Sequence, residues 1–166
     1  MTESDRHEVR PGDSAPDVTL YDTAGDAVPL RELAPGRWLV LFFYPRDASP
    51  VCTMEACRFR DAYAEFVEAG AEVVGVSDDE TDSHVLFAAA HQLPYRLLTD
   101  RGGAARRVFG TGRAWGLLPG RVTYVVDPNG VVRHAFRAQM RAGRHVQEAL
   151  AAVRAERPAS EEGARP

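Results

Sequence analysis

The segment YPRDASPVCTMEAC, residues 44–57, contains both cysteines of this 166-residue chain. It follows an apolar run rich in aromatic and aliphatic residues, which predicts a buried strand, and its two prolines predict a turn. After the turn, apolar side chains recur at the three- and four-residue spacing of a helix. Ser49 and Pro50 are residue types that favour the cap and the first position of a helix. The sequence therefore predicts that Cys52 lies in the first turn of a helix that follows a buried strand.

Strand-like and helix-like patterns alternate over the rest of the chain. The predicted strands are Val18–Tyr21, Trp38–Tyr44, Glu72–Ser77, Tyr95–Leu98, Val122–Val126 and Val131–Arg137. The DPNG turn between the last two predicts that they form an antiparallel hairpin. Helices are predicted from Cys52 to Gly70, from Thr81, around 102–110 and over 144–156. This order predicts an α/β domain with a mixed central sheet flanked by helices, on the thioredoxin-like plan.

Length and composition predict one globular domain, over residues 11–155, with flexible polar tails at 1–10 and 156–166. The chain is 45% hydrophobic and 27% charged, and its longest apolar run is far shorter than a membrane span requires. The first ten residues are polar and do not resemble a secretory signal, so we expect a cytoplasmic protein whose thiols stay reduced. A net charge of −4 gives no indication of nucleic-acid binding.

The two cysteines are either inert buried thiols or a reactive pair. They do not form a CxxC motif, and no HxxxH pair accompanies them, so neither dithiol exchange of the thioredoxin type nor a zinc site is indicated. Unpaired N–H groups and the helix dipole at a first helical turn would stabilise a thiolate at Cys52. This position favours a reactive Cys52 and leaves the inert alternative open.

The spacing of the cysteines limits how they can react with each other. Residues five apart in an ideal helix have Cα atoms about 8.6 Å apart, whereas a disulfide needs about 4.4–6.8 Å. A bond between Cys52 and Cys57 would therefore require the first turns of the helix to unwind. Such a pair would be a switch rather than a permanent crosslink.

The segment PRDASPVCT resembles the active-site signature of the peroxiredoxins: Pro, three residues, Thr or Ser, two residues, Cys. The longer stretch FYPRDASPVCTMEACRFRD is similar to the Q-type peroxiredoxins, or bacterioferritin comigratory proteins, of the alkyl hydroperoxide reductase/thiol-specific antioxidant family. The resemblance continues in LPYRLLTDRGG, RVTYVVDPNGVV and HAFRAQ…HVQEAL, and it covers roughly residues 10–154.

This resemblance implies a thiol-dependent peroxidase that reduces hydrogen peroxide and organic hydroperoxides. Cys52 would be the peroxidatic nucleophile and would become a sulfenic acid. Cys57 would be the resolving thiol and would close an intramolecular disulfide, which thioredoxin or a similar dithiol would reduce. The resemblance implies no cofactor and no metal, and we expect a monomer or a weak homodimer that binds neither nucleic acid nor membranes.

Four further residues match the signature of the family. Ser49 would hydrogen-bond the sulfur and the peroxide, and Pro45 would shield the sulfur from bulk water. Arg121 falls at the start of a predicted strand, where the family has its active-site arginine. Glu55, one helical turn after Cys52, would orient that arginine.

The chain departs from the family pattern at Val51, where a glycine usually precedes the nucleophile, and in a shortened loop, GTGRAWGLLPG, before the arginine. Two other readings remain: a one-cysteine peroxidase resolved by an external thiol, and a thioredoxin-fold redox sensor or binding module with little turnover. Arg106 is predicted to be solvated. Surface or capping positions are predicted for the histidines His84, His91, His134 and His145.

Overall fold

The computed structural model describes residues 8–114 and 118–155. The strands are β1 (Thr19–Tyr21), β2 (Ala27–Pro29), β3 (Trp38–Phe43), β4 (Ala71–Ser77), β5 (Arg96–Thr99), β6 (Arg113–Ala114), β7 (Leu118–Pro119), β8 (Val122–Val126) and β9 (Val132–Arg137). The α-helices are α1 (Pro50–Glu68), α2 (Thr81–His91), α3 (Ala104–Phe109) and α4 (Ala142–Ala155).

Seven of the strands form one mixed sheet in the order β2-β1-β5-β4-β3-β8-β9, and β6 pairs with β7 separately. β3, β4 and β5 run parallel to one another, whereas β8 pairs antiparallel with both β3 and β9. The parallel strands are joined through α1 and α2, as crossover connections require. The predicted α/β class with a mixed sheet and the predicted terminal hairpin are confirmed.

β3 lies at the centre of the sheet and separates two hydrophobic cores. Val40 and Phe42 belong to one core, while Leu39, Leu41 and Phe43 belong to the other. Successive side chains of a strand point to opposite faces, so this continuous apolar run fills both cores. Cys52, a residue of α1, belongs to the first of these cores, to which α4 also contributes buried side chains.

The structure adds short elements that the sequence patterns did not predict. β2 has three residues, and β6 and β7 have two each. Segments of this length do not show a hydrophobic period, and β2 is a strand because Leu20 and Val28 pair across the turn that joins it to β1. At the predicted start of α2, Glu80 is the N-cap residue and Thr81 is the first helical residue.

Residues 1–7 and 156–166, which make up most of the predicted tails, lie outside the described residues. Val9 falls within the predicted N-terminal tail, yet its side chain is only 3% exposed and its N–H donates to the Phe109 carbonyl at 2.9 Å. The packed part of the chain therefore extends back to Val9. No helix in the described part of the chain is long and apolar enough to cross a bilayer.

Candidate active site

Cys52 lies where the central strand β3 passes through a short loop into α1. Ser49 has the extended backbone of an N-cap residue, Pro50 is the first helical residue, and Cys52 is the third. The N–H groups of a first turn have no acceptor within their own helix, so they leave partial positive charge at the end of the helix where Cys52 lies. Cys52 is 1% exposed, so these dipoles act where water screens them little.

Arg121 joins Cys52 to Glu55 through its guanidinium group. One terminal nitrogen donates to Cys52 Sγ at 3.2 Å, and the other donates to Glu55 Oε1 at 2.9 Å. The arginine is 3% exposed and the glutamate is fully buried. The structure therefore brings together three of the predicted site residues, although Arg121 is 69 positions from Cys52.

Gln139 fixes the position of Arg121 from the segment that follows β9. Its carbonyl accepts from Arg121 Nε at 3.0 Å, and its side-chain oxygen accepts from the Arg121 backbone N–H at 3.1 Å. Burial by itself lowers the pKa of Arg121, but the charges and hydrogen bonds of Glu55 and Cys52 raise it above the usual value. The guanidinium therefore stays charged and is held in one orientation. Sequence patterns gave no indication of Gln139, because it contacts the site through a distant loop.

Glu55 has one carboxylate oxygen in the ion pair and one that faces α4. Its Oε2 is buried without a hydrogen-bond partner and lies 3.5 Å from His145 Nδ1. Burial raises the pKa of Glu55 to about 7, against the lowering effect of Arg121. Burial, together with the charge of Arg121, lowers the pKa of His145 to about 4, against a backbone hydrogen bond that raises it. At neutral pH His145 is therefore a neutral imidazole, and a further proton taken up by this pair is on the Glu55 carboxyl group.

The loop between β3 and α1 is anchored to α2 by buried hydrogen bonds. Asp47 accepts hydrogen bonds from Tyr44 Oη at 2.6 Å and from Ser83 Oγ at 2.8 Å, and His84 Nδ1 lies 2.7 Å from its carboxylate. The other ring nitrogen of His84 lies 3.1 Å from the Leu98 carbonyl. These two oxygens hold the buried ring in one orientation between the loop and β5.

Arg106 bridges the two segments that lead to Cys52 and to Arg121. Its guanidinium donates to the Tyr44 carbonyl at 2.5 Å and to the Gly120 carbonyl at 3.0 Å. Its Nε is buried without a partner, and burial lowers the pKa of this group. The prediction of a solvated Arg106 is therefore wrong. Gly120 packs so closely that a Cβ there would lie 2.5 Å from the Thr111 carbonyl oxygen.

Pro45 and Ser49 lie on the loop that precedes α1 and Cys52. Ser49 occupies the predicted N-cap position, but its hydroxyl makes no capping hydrogen bond and donates to the Arg46 carbonyl at 3.2 Å. In this conformation the hydroxyl is not directed at the sulfur. Pro45 is half-buried directly after Tyr44.

Cys57 lies on the same continuous helix as Cys52, and both cysteines are free thiols. The Cys57 side chain is half-buried, and its Sγ lies 3.7 Å from Nδ1 of His91, the last residue of α2. An intact helix keeps residues five apart beyond disulfide distance. The structure therefore holds the second thiol near the first but does not let the two react.

The surface prediction is wrong for two of the histidines, because His84 and His145 are fully buried. For His145, the position within the helix could have indicated burial. His145 falls on the buried stripe of α4, three residues after Ala142 and four residues before Ala149. A histidine on an apolar stripe must have buried partners for its ring nitrogens, and its spacing among apolar residues could have indicated this.

No group of three or more His, Cys, Asp or Glu side chains within residues 8–114 and 118–155 is arranged to hold a metal ion. The polar groups around Cys52 are donors aimed at the sulfur and at Glu55. This arrangement suits a thiolate and an oxygen substrate that gains negative charge.

Comparisons with known proteins identify the family of this chain. The AhpC/TSA family model matches residues 11–135. The chain is 46% identical to chloroplastic peroxiredoxin Q of Arabidopsis thaliana over 149 residues, which cover 89% of this chain and 68% of the relative. Peroxidoxin BcpB of Mycobacterium tuberculosis superposes with a TM-score of 0.84 at 36% identity, over 91% of this chain and 100% of the other.

A structure of peroxiredoxin Q from Xanthomonas campestris superposes with a TM-score of 0.76 at 32% identity, over 89% of this chain and 96% of that one. These neighbours confirm the predicted thioredoxin-like arrangement of the sheet and helices. The matched region includes Cys52, Glu55 and Arg121 together. The chain belongs to the AhpC/TSA family and is a peroxiredoxin, a thiol-dependent peroxidase.

Proposed function

We propose that Cys52 is the peroxidatic nucleophile of a two-cysteine cycle, that Cys57 is its resolving thiol, and that a dithiol protein of the thioredoxin class restores both. The observation that carries this proposal is the hydrogen bond of 3.2 Å from Arg121 to Cys52 Sγ, in a first helical turn that is nearly closed to water.

In the first step, the Cys52 thiolate attacks the terminal oxygen of a hydroperoxide. A sulfur–oxygen bond forms, the oxygen–oxygen bond breaks, and the leaving alkoxide or hydroxide takes a proton to give an alcohol or water. Thiolate formation accounts for only about a tenfold gain in rate, because a free thiol with a pKa of about 8.5 is already several per cent ionised near neutral pH. The larger gain comes from Arg121, which stabilises charge that develops on the peroxide oxygens.

In the second step, the Cys57 thiolate attacks the sulfur of the Cys52 sulfenic acid. The sulfur–sulfur bond forms, and the sulfenic oxygen leaves as hydroxide and is protonated to water. The geometry of α1 requires that its first turns unwind before this attack. Unwinding exposes both sulfurs, which gives a dithiol reductant access to the disulfide.

We propose hydrogen peroxide and organic hydroperoxides as substrates, and a monomer or weak homodimer as the working form. A cycle that ends with a dithiol reductant needs a reducing compartment. We therefore propose a cytoplasmic location, which subcellular fractionation tests.

NADPH consumption with hydrogen peroxide, thioredoxin and thioredoxin reductase tests the cycle. The Cys52→Ser variant is expected to lose all turnover. The Cys57→Ser variant is expected to lose thioredoxin-dependent turnover and to keep the first oxidation. An inert wild type that is folded and reduced would overturn the two-cysteine cycle and favour the redox sensor.

Intact mass after one equivalent of peroxide separates the two-cysteine cycle from resolution by an external thiol. A disulfide lowers the mass of the reduced protein by about 2 Da, whereas a stable sulfenic acid raises it by about 16 Da. We expect the loss in the wild type and the gain in Cys57→Ser. A gain in the wild type would assign resolution to an external thiol.

A further inference from the structure

We propose that His145 is a positioning residue of the peroxidase site: its Nδ1 faces Glu55 Oε2, favours the protonated carboxyl, and so leaves the charge of Arg121 to Cys52 and the peroxide. This inference rests on the proposed function of Cys52 and Arg121. It concerns a residue of α4 that touches neither the sulfur nor the substrate.

The orientation of the His145 ring is fixed by two partners. Its Nε2 lies 2.7 Å from the Ala138 carbonyl, which can only accept, so Nε2 carries a hydrogen. Its Nδ1 lies 2.8 Å from Thr123 Oγ1, and Phe136 packs against the ring edge to face. The ring is fully buried, so it cannot turn to present another atom to Glu55.

In the neutral ring, the atom that faces Glu55 carries a lone pair. Burial and the nearby charge of Arg121 keep the pKa of His145 low, so Nδ1 is unprotonated at neutral pH. That lone pair accepts from Thr123 Oγ1 at 2.8 Å, and the partial negative charge on Nδ1, 3.5 Å from Oε2, disfavours a carboxylate there and favours a protonated oxygen. The buried oxygen without a partner is thus the expected site of the proton.

The protonation state of Glu55 changes what Arg121 can offer to the sulfur. The ionised carboxyl shares the single guanidinium charge with the Cys52 thiolate, whereas the protonated carboxyl leaves that charge to the thiolate and to the peroxide. When Glu55 ionises, its proton goes to solvent. The ionisable groups that act on this pair include Arg121, Cys52 and Tyr95.

The test uses the full-length Cys57→Ser protein, in which Cys52 is the only thiol. The rate of Cys52 oxidation by hydrogen peroxide is divided by its rate of alkylation with iodoacetamide at each pH from 5 to 9. Both reactions require the thiolate, so the thiolate fraction cancels in this ratio. The ratio therefore reports the contribution of Arg121. We expect the ratio to fall several-fold with a midpoint near 7, the value to which burial raises the Glu55 pKa.

His145→Gln keeps a donor for Ala138 and removes Nδ1, so we expect the midpoint to move about one pH unit lower. Glu55→Gln should abolish the midpoint. The matched control is His134→Gln, because His134 also binds a glutamate, Glu148, at 2.9 Å, but at the surface and outside the site. It should leave the midpoint in place.

A second readout does not depend on peroxidase activity. The infrared carbonyl band of protonated Glu55, identified as the band lost in Glu55→Gln, should disappear with the same midpoint and should shift in His145→Gln. An unmoved midpoint together with normal peroxide reduction would overturn the role of His145 and leave the peroxidase intact. A shifted infrared midpoint without peroxide reduction would instead overturn the proposed function of Cys52.

Discussion

In the proposed cycle, Arg121 is the residue on which the rate of the first step depends. Its two terminal nitrogens are divided between a nucleophile and a carboxyl group, and Gln139 holds the rest of the side chain. A buried cation with fixed donors needs no reorganisation when charge moves onto the peroxide oxygens. A lysine could supply the charge but not the fork that binds Cys52 and Glu55 at once.

Arg121→Ala should lower kcat/KM for hydrogen peroxide by about 10²–10³-fold, because one preorganised donor at a developing charge contributes that much. Alkylation of Cys52 by iodoacetamide should fall by less than about tenfold, because only the thiolate fraction changes. Peroxidase assays and alkylation kinetics on the same preparation measure both. Arg144→Ala, at an exposed ion pair on α4, is the matched control. Equal losses in the two reactions would contradict the assigned role of Arg121.

At the scale of elements, two segments determine how Cys52 is presented. The loop before α1 contains Ala48, which adopts a left-handed backbone at φ 62°, a strained conformation for a residue with a side chain. The buried hydrogen bonds of Asp47 to Tyr44, Ser83 and His84 hold that loop in place. In the proposed cycle, α1 has to be stable enough to position the Cys52 sulfur, yet its first turns have to be able to unwind.

Asp47→Asn should lower the free energy of unfolding by about 3 kcal/mol, because an amide nitrogen replaces one of the oxygens that face the buried groups of Tyr44, Ser83 and His84. Urea denaturation measures this loss. Asp61→Asn, at an exposed ion pair on α1, should change the stability by less than about 1 kcal/mol. A stable Asp47→Asn variant would show that the loop does not depend on these hydrogen bonds.

Tyr95→Phe should accelerate formation of the Cys52–Cys57 disulfide. The Tyr95 hydroxyl donates to the Ala56 carbonyl at 2.5 Å, inside the segment that has to unwind, and losing one hydrogen bond of about 1 kcal/mol corresponds to about a fivefold faster step. Stopped-flow measurement of disulfide formation after a peroxide pulse gives the rate. The control is Tyr63→Phe. Tyr63 lies in a later turn of α1, and its hydroxyl donates to Glu72 rather than to a carbonyl of the first turns. Equal rates in both variants would place the barrier elsewhere.

For the whole molecule, the buried pair of Glu55 and His145 links stability to pH in two opposing ways. The Glu55 pKa is raised from 4.5 to about 7, so its contribution is present below pH 4.5 and is lost as the pH rises towards 7. The His145 pKa is lowered from 6.5 to about 4, so its contribution is present above pH 6.5 and is lost as the pH falls towards 4. Between pH 4.5 and 6.5 the two slopes cancel.

The single variants should therefore show opposite slopes relative to the wild type. Between pH 4.5 and 6.5, the unfolding free energy of Glu55→Gln should rise by about 2–3 kcal/mol, because only His145 remains. That of His145→Gln should fall over pH 4.5–6, because only Glu55 remains. Denaturation at several pH values measures both slopes. Parallel curves for the two variants would show that Glu55 and His145 do not titrate as described.

The sequence by itself determined what depends on neighbours along the chain. Hydrophobic period predicted the main strands and helices, and Ser49 and Pro50 predicted Cys52 in a first helical turn, because caps and dipoles act within a few residues. The cysteine spacing determined that a disulfide would require unwinding, since helix geometry is the same in every protein. Resemblance to the family pointed to Arg121 and Glu55.

Only the tertiary structure decided what depends on distant segments. It brings His145 to Glu55, Gln139 to Arg121 and Arg106 to two loop carbonyls, and it turns the Ser49 hydroxyl towards Arg46. The apolar stripe of α4 could indicate that His145 is buried, but not which group it contacts. That contact, and the burial of Arg106, depend on which strands pair and which helix covers them, and local periodicity does not encode these. The electrostatic setting of Cys52 is therefore a product of packing, while its place in the helix is a product of sequence.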